Sequence, residues 1–175
     1  AGSVSGGCVE GATADHLEAA AASGLQRVVR FGVSDEQAWD VGLACGGTID
    51  VLVQPAVPQA VLDAAVETLD DRSAGRVVAT TLPPGSPGPD AAGSARGPQA
   101  APTDPLVVYA GGRAAGTSSD AALEARIVAD APALLASGGS ALIEDGGRQV
   151  FVESFPPRPR LVVVGAVEVA AALVG

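Results

Sequence analysis

The sequence contains no lysine, methionine or asparagine, so all ten of its basic residues are arginines. Twenty acidic residues outnumber them, and the formal net charge is −10. Affinity for nucleic acid comes largely from cations that meet phosphates, so a chain this acidic is poorly suited to binding it. Anionic membrane surfaces are disfavoured for the same reason. We therefore expect neither nucleic acid nor a membrane surface as a partner.

Histidine is almost absent, which limits the metal and catalytic chemistry. Because His16 is the only histidine in the sequence, a three-histidine or HExxH zinc site is excluded. A Ser-His-Asp triad would have to use His16 itself. Because His16 lies in the middle of a predicted helix, an ordinary helix-face histidine is the favoured interpretation.

Cysteine is scarce as well, and long apolar runs are missing. Cys8 and Cys45 form neither a disulfide-dense scaffold nor a CxxC zinc pair, which favours a reducing compartment. The sequence has no run of 18 apolar residues and does not begin with a basic-then-apolar secretory segment. These features predict a cytoplasmic protein without a membrane span.

The 175 residues suffice for one domain, or for one domain and a fragment of another. The chain begins with alanine inside one predicted element and ends with glycine inside another, so we expect a piece of a longer protein. Residues 1–155 are predicted to form an N-terminally incomplete α/β domain, a mixed sheet with hairpins. Residues 156–175 are predicted to be a linker and the opening strand and helix of a truncated Rossmann-like domain.

Hydrophobic periodicity and turn residues predict the elements of the first domain. Helices are expected at residues 9–23 and 57–69, and from a cap at Ser118 or Ser119 to about Leu135, with a bend or restart at Pro132. Gly24 is expected in the left-handed conformation that ends a helix. Strands are expected at residues 27–33, 49–54 and 76–82, and hairpins at 106–116 and 140–154.

Residues 83–105 differ in composition from the rest of the chain. They contain seven prolines, four glycines and five alanines, with almost no large apolar side chain. Such a segment recovers little of its ordering entropy by burial. It is therefore predicted to be a flexible insertion.

The two cysteines are the strongest candidates for chemistry. Cys8 follows the Gly6-Gly7 pair and precedes a predicted helix, where the helix dipole favours a thiolate. Cys45 lies before a second pair, Gly46-Gly47. A thiolate is a nucleophile or a soft-metal ligand, and each glycine pair can present backbone N–H groups to an anion. The alternative is that both cysteines are small buried side chains at tight turns.

Three stretches together resemble the XdhC/CoxI family of maturation factors for molybdenum hydroxylases. They are residues 2–10 (GSVSGGCVE), 30–36 (RFGVSDE) and 42–49 (GLACGGTI). Residues 150–153 (VFVE), the following prolines 156–157 and residues 161–166 also resemble the family's passage into its Rossmann-type second domain. The resemblance covers the chain outside the insertion.

The resemblance implies a cytoplasmic chaperone without a turnover reaction of its own. It would bind and protect molybdenum cofactor, support its sulfuration by a cysteine desulfurase, and deliver it to an apoenzyme of the xanthine or carbon monoxide dehydrogenase type. Cys8, Cys45 and the pairs Gly6-Gly7 and Gly46-Gly47 correspond to the family's glycine-flanked cysteines. They are the expected cofactor-binding residues, with the two thiolates as candidate molybdenum ligands.

Two other functions stay open. One is a nucleotide-dependent oxidoreductase, which would bind NAD(P) only through the missing part of the second domain. The other is a non-catalytic interaction module with structural cysteines. The client dehydrogenase, the choice of Cys8 or Cys45 as ligand, and the oligomeric state, of which a homodimer is one option, are left undetermined by the sequence.

Overall fold

A computed structural model describes residues 4, 6–7, 9–33, 47–70, 75–87, 95–116 and 120–157. Five groups of predictions lie outside the described residues. They concern Cys8, the segment 34–46 with Cys45 and Gly46, residues 88–94 of the predicted insertion, the candidate caps Ser118 and Ser119, and the Rossmann-like opening at 158–175.

The described residues form helices and antiparallel strands joined in part by hairpins, which confirms the α/β class. The helices are α1 (Glu10–Ser23), α2 (Gln59–Asp70) and α3 (Ala121–Ser137). The strands are β1 (Arg27–Val33), β2 (Gly47–Val53), β3 (Arg76–Thr81), β4 (Ala95–Arg96), β5 (Leu106–Tyr109), β6 (Ala114–Ala115), β7 (Ser140–Asp145) and β8 (Arg148–Phe155). Within the described ranges, no helix has the length and apolar character needed to cross a membrane.

The strands form two sheets, one of three strands in the order β2-β1-β4 and one of five in the order β6-β5-β3-β8-β7. Every pairing between these strands is antiparallel, whereas a mixed sheet was expected. Two of the pairings are the predicted hairpins, β5–β6 and β7–β8, and a tight turn can join only antiparallel strands.

The five-stranded sheet is covered by a helix on each face. Side chains alternate along β3, so Val77 and Val78 enter different cores. Val77 packs with Ile127 of α3, and Val78 packs with Ala64 of α2. Ile127 is 2% exposed and belongs to the larger of the two clusters.

The three-stranded sheet packs against α1. Ala20 of the helix contacts Val29 and Val53, and the half-buried Phe31 extends this cluster along β1. Gly24 ends α1 with φ 70°, as predicted, and its N–H donates to the Ala20 carbonyl at 2.8 Å. The small alanine side chain lets the helix lie close to the sheet.

The start of α3 differs from its prediction. Asp120, not Ser118 or Ser119, is the N-cap, and its carboxylate accepts hydrogen bonds from the N–H groups of Ala122 and Leu123. The Leu123 N–H, then the Arg148 guanidinium, then the Ala122 N–H lower the pKa of Asp120. The helix runs through Pro132 to Ser137 as one element, so of the predicted bend or restart at Pro132 the restart does not occur.

Part of the predicted flexible insertion instead pairs with the three-stranded sheet. β4 is its edge strand, and Gln26 and Ala100 exchange two backbone hydrogen bonds of 2.8 and 3.0 Å. The Gly97 N–H donates to the Val28 carbonyl at 2.8 Å, and a Cβ on Gly97 would lie 3.0 Å from that oxygen. Backbone hydrogen bonds and the close approach that small residues allow therefore replace the large apolar side chains that the segment lacks.

Candidate functional site

The candidate site begins at the turn that precedes α1. Gly6 and Gly7 have φ values of 80° and 126°, in a region that other residues rarely adopt. A Cβ at either glycine would meet no atom within 4 Å. The backbone conformation, and not crowding, therefore requires glycine at these two positions.

Glu10 closes this turn with its carboxylate. Oε1 accepts hydrogen bonds of 3.1 Å from both the Val4 and Gly6 N–H groups. Oε2 accepts from the Gly7 N–H at 2.9 Å and from the Val9 N–H at 3.2 Å. The glycine pair was expected to offer its N–H groups to an anion, and the anion in the structure is the chain's own first helical residue.

Glu10 is the site residue that sequence reasoning missed. An acidic residue in the first turn of a helix is common because it interacts favourably with the helix dipole. A signal was available in the order of the residues. A glycine pair whose N–H groups can converge on an anion lies just three positions before a carboxylate that can reach it.

The second predicted segment reaches the described residues at Gly47, the first residue of β2. Gly47 pairs with Val33, the last residue of β1. Cys45 and Gly46 immediately precede Gly47 in the sequence.

The described flanks of both cysteines lie at the same end of the three-stranded sheet. α1 runs antiparallel to β1, because Ala20 packs on Val29 and the His16 ring lies 6.1 Å from the Phe31 ring. Starting from the His16–Phe31 contact, Glu10 lies six residues towards the N-terminal end of α1, a distance of about 9 Å. Val33, opposite Gly47, is two residues further along the strand, about 7 Å in the same direction.

His16 itself is a packing residue in this arrangement. Its half-buried ring contacts Phe31. In the described part of the chain, no group of three histidine, cysteine, aspartate or glutamate side chains could hold a metal ion. Burial lowers the pKa of His16, and the positive charges of Arg96 and Arg27 lower it further. The neutral imidazole is therefore the favoured form.

No protein-family model matches this chain, and no curated protein with a similar sequence was found. The described residues show two glycine-containing segments, the Gly6-Gly7 turn and the start of β2 at Gly47, at one end of the three-stranded sheet. Each segment adjoins a cysteine in the sequence, and cysteine thiolates bind soft metals.

Proposed function

We propose that this protein binds molybdenum cofactor through Cys8 and Cys45 and delivers it to a molybdenum hydroxylase apoenzyme. The observation that carries the proposal is the position of the two cysteine flanks. The Gly6-Gly7 turn and the start of β2 lie at the same end of one sheet, although 36 residues separate the two cysteines. Two cysteines with such flanks can serve one ligand.

The chemistry of the donors fits this cofactor. A thiolate is a soft ligand, and the molybdenum of the cofactor is held by a soft dithiolene. In the sequence, Cys8 follows a turn whose conformation is set by Gly6 and Gly7. The cofactor would supply the redox-active metal, and this chain would hold it and exclude water until transfer.

The wider role follows from the resemblance noted in the sequence. A cytoplasmic chaperone of this kind would work with a cysteine desulfurase, which supplies sulfur, and with the apoenzyme that receives the cofactor. The protein would then need no turnover reaction of its own. Its strong negative charge is compatible with protein partners and disfavours nucleic acid.

The proposal is tested by cofactor content. Full-length protein purified from molybdenum-replete cells should contain molybdenum and a pterin in equal amounts. Cys8→Ser and Cys45→Ser each replace a thiolate with a hydroxyl that stays protonated near neutral pH, so each should reduce the bound molybdenum by about tenfold or more. Ala12→Ser, at an exposed position of α1, is the matched control and should keep the wild-type content.

The same preparation separates the alternatives. Wild-type protein that contains neither molybdenum nor pterin would refute the proposal. Retention of NAD(P) in place of a pterin would favour the oxidoreductase. Unchanged binding of desulfurase and apoenzyme by the double cysteine variant, together with unchanged client activation, would favour the interaction module.

A further inference from the structure

We infer that Glu10 is the positioning residue of the cofactor site, because its carboxylate holds the backbone on both sides of Cys8. This inference rests on the proposed function, in which Cys8 is a ligand. Gly7 and Val9 are the sequence neighbours of Cys8, and the N–H group of each donates to Glu10 Oε2, at 2.9 and 3.2 Å. The cysteine therefore lies between two anchored residues.

The other carboxylate oxygen of Glu10, Oε1, binds the backbone at the start of the turn. Oε1 accepts from the N–H groups of Val4 and Gly6, so within the described residues one side chain accepts from four backbone donors. The turn is largely exposed, and isolated neutral hydrogen bonds there would compete with water. Hydrogen bonds to a charged acceptor are stronger, and here they share a single carboxylate.

The geometry favours glutamate over its closest substitutes. The Glu10→Gln side chain would keep the length but offer one oxygen, so one pair of donors would lose its acceptor together with the charge. The Glu10→Asp side chain would keep both oxygens and the charge but would be shorter. Val9 precedes α1 directly, and the carboxylate must turn back to reach Val4, six residues before it.

Glu10 also determines what the turn can offer to a cofactor. Its carboxylate already accepts from the N–H groups of Gly6 and Gly7, which were expected to face an external anion. In this inference the cofactor is therefore bound by the Cys8 thiolate and not by the N–H groups of Gly6 and Gly7. The Cys8 thiolate would then select the ligand, because a thiolate prefers a soft metal to a phosphate.

The test compares Glu10→Gln and Glu10→Asp with Glu18→Gln in the full-length protein. Glu18 is exposed on the same helix and makes no hydrogen bond within the described part of the chain, so it is the matched control. Amide exchange at Gly6, Gly7 and Val9 reports the contacts directly. The Gly24 N–H, which donates to Ala20, shows whether α1 is still folded.

We expect Glu10→Gln to accelerate exchange at the three amides by about tenfold or more and to leave Gly24 unchanged, with Glu10→Asp intermediate. Molybdenum content should fall in the same order. In a Cys45→Ser background, alkylation of Cys8 should become several-fold faster, because the backbone of its neighbours Gly7 and Val9 is no longer held. Glu18→Gln should change none of the three measurements.

The outcomes distinguish this inference from the proposed function. Wild-type molybdenum content in Glu10→Gln, despite lost amide protection, would overturn the positioning role while cofactor binding stands. If the Gly6, Gly7 and Val9 amides exchange without protection in the wild type, their hydrogen bonds to the Glu10 carboxylate do not form, and the inference fails. If the wild type holds no cofactor, the proposed function fails, and unchanged Cys8 alkylation in Glu10→Gln would then remove the positioning role as well.

Discussion

Arg30 and Asp50 face each other across β1 and β2 and form a two-pronged ion pair. The guanidinium donates from Nε to Oδ1 at 2.7 Å and from Nη2 to Oδ2 at 2.5 Å. The Arg30 side chain is 2% exposed and that of Asp50 is 37% exposed. The hydrogen bond to Asp50 raises the pKa of Arg30, which favours the charged guanidinium.

Asp50→Asn should lower the melting temperature because it removes the charged acceptor that pairs with the buried Arg30 guanidinium. Asp130→Asn, on the exposed side of α3, is the control and should have little effect. Thermal unfolding followed by circular dichroism measures both. Equal melting temperatures for the two variants would mean that the pair contributes nothing to stability.

The second prediction concerns the pH dependence of His16. Its folded-state pKa is lowered, first by burial and then by Arg96 and Arg27, so it should titrate below the ordinary value of about 6.5. The folded state then binds the proton more weakly than the unfolded state. Stability from this group is complete above the ordinary pKa and is lost as the pH falls through the folded-state pKa.

A proton NMR titration measures this pKa without ambiguity, because the chain has one histidine. Arg96→Gln should move the midpoint upward, whereas Arg126→Gln on α3 should not. The Arg96 effect also tests whether β4 lies near α1. A midpoint at or above the ordinary value would contradict the packing of His16 on Phe31.

A proline substitution tests whether residues 95–105 are paired with the sheet. The Ala100 N–H donates to the carbonyl of Gln26, which is 1% exposed. Ala100→Pro removes that donor and should lower the free energy of unfolding by about 1–3 kcal/mol. Gln99→Pro, at an exposed neighbouring position, is the control for chemical denaturation. A flexible insertion would tolerate both prolines equally.

The fourth prediction compares two glycines with positive φ values. Gly116 has φ 98°, and a Cβ there would lie 2.1 Å from the Pro105 carbonyl oxygen. Gly112 has φ 80° and no atom within 4 Å of such a Cβ. Gly112→Ala should cost about 1–2 kcal/mol for the backbone conformation alone. Gly116→Ala should cost about 2–4 kcal/mol, because the carbonyl must also move.

Denaturant titrations of the two alanine variants give the difference directly. A smaller loss for Gly116→Ala than for Gly112→Ala would show that β6 and the Pro105 carbonyl are further apart than the structure has them.

Elements whose signals are local could be predicted from the sequence. β1 occupies the predicted residues, and α1 and its Gly24 cap differ by at most one position, because periodicity and a positive-φ glycine act over a few neighbours. Contacts that depend on register could not be predicted. The Arg30–Asp50 pair requires β1 and β2 to meet at one alignment across a long connection.

The candidate site divides in the same way. The sequence alone identified the glycine pairs Gly6-Gly7 and Gly46-Gly47 as candidates. The direction of α1 relative to β1 then shows that the described residues beside the two cysteines lie at one end of the three-stranded sheet. The role of Glu10 depends on the conformation of Gly6 and Gly7, which a composition cannot supply. Molybdenum ligation by Cys8 and Cys45 stays a prediction.

The pairing of β3 with β8 has a consequence for synthesis on the ribosome. Val78, at the centre of the five-stranded sheet, pairs with Glu153, 75 positions later in the chain. The hairpins β5–β6 and β7–β8 can close locally, but β3 lacks one neighbour until β8 has emerged. Nascent chains that stop before β8 therefore expose an apolar strand edge, and their degradation or capture by chaperones should end once β8 leaves the exit tunnel.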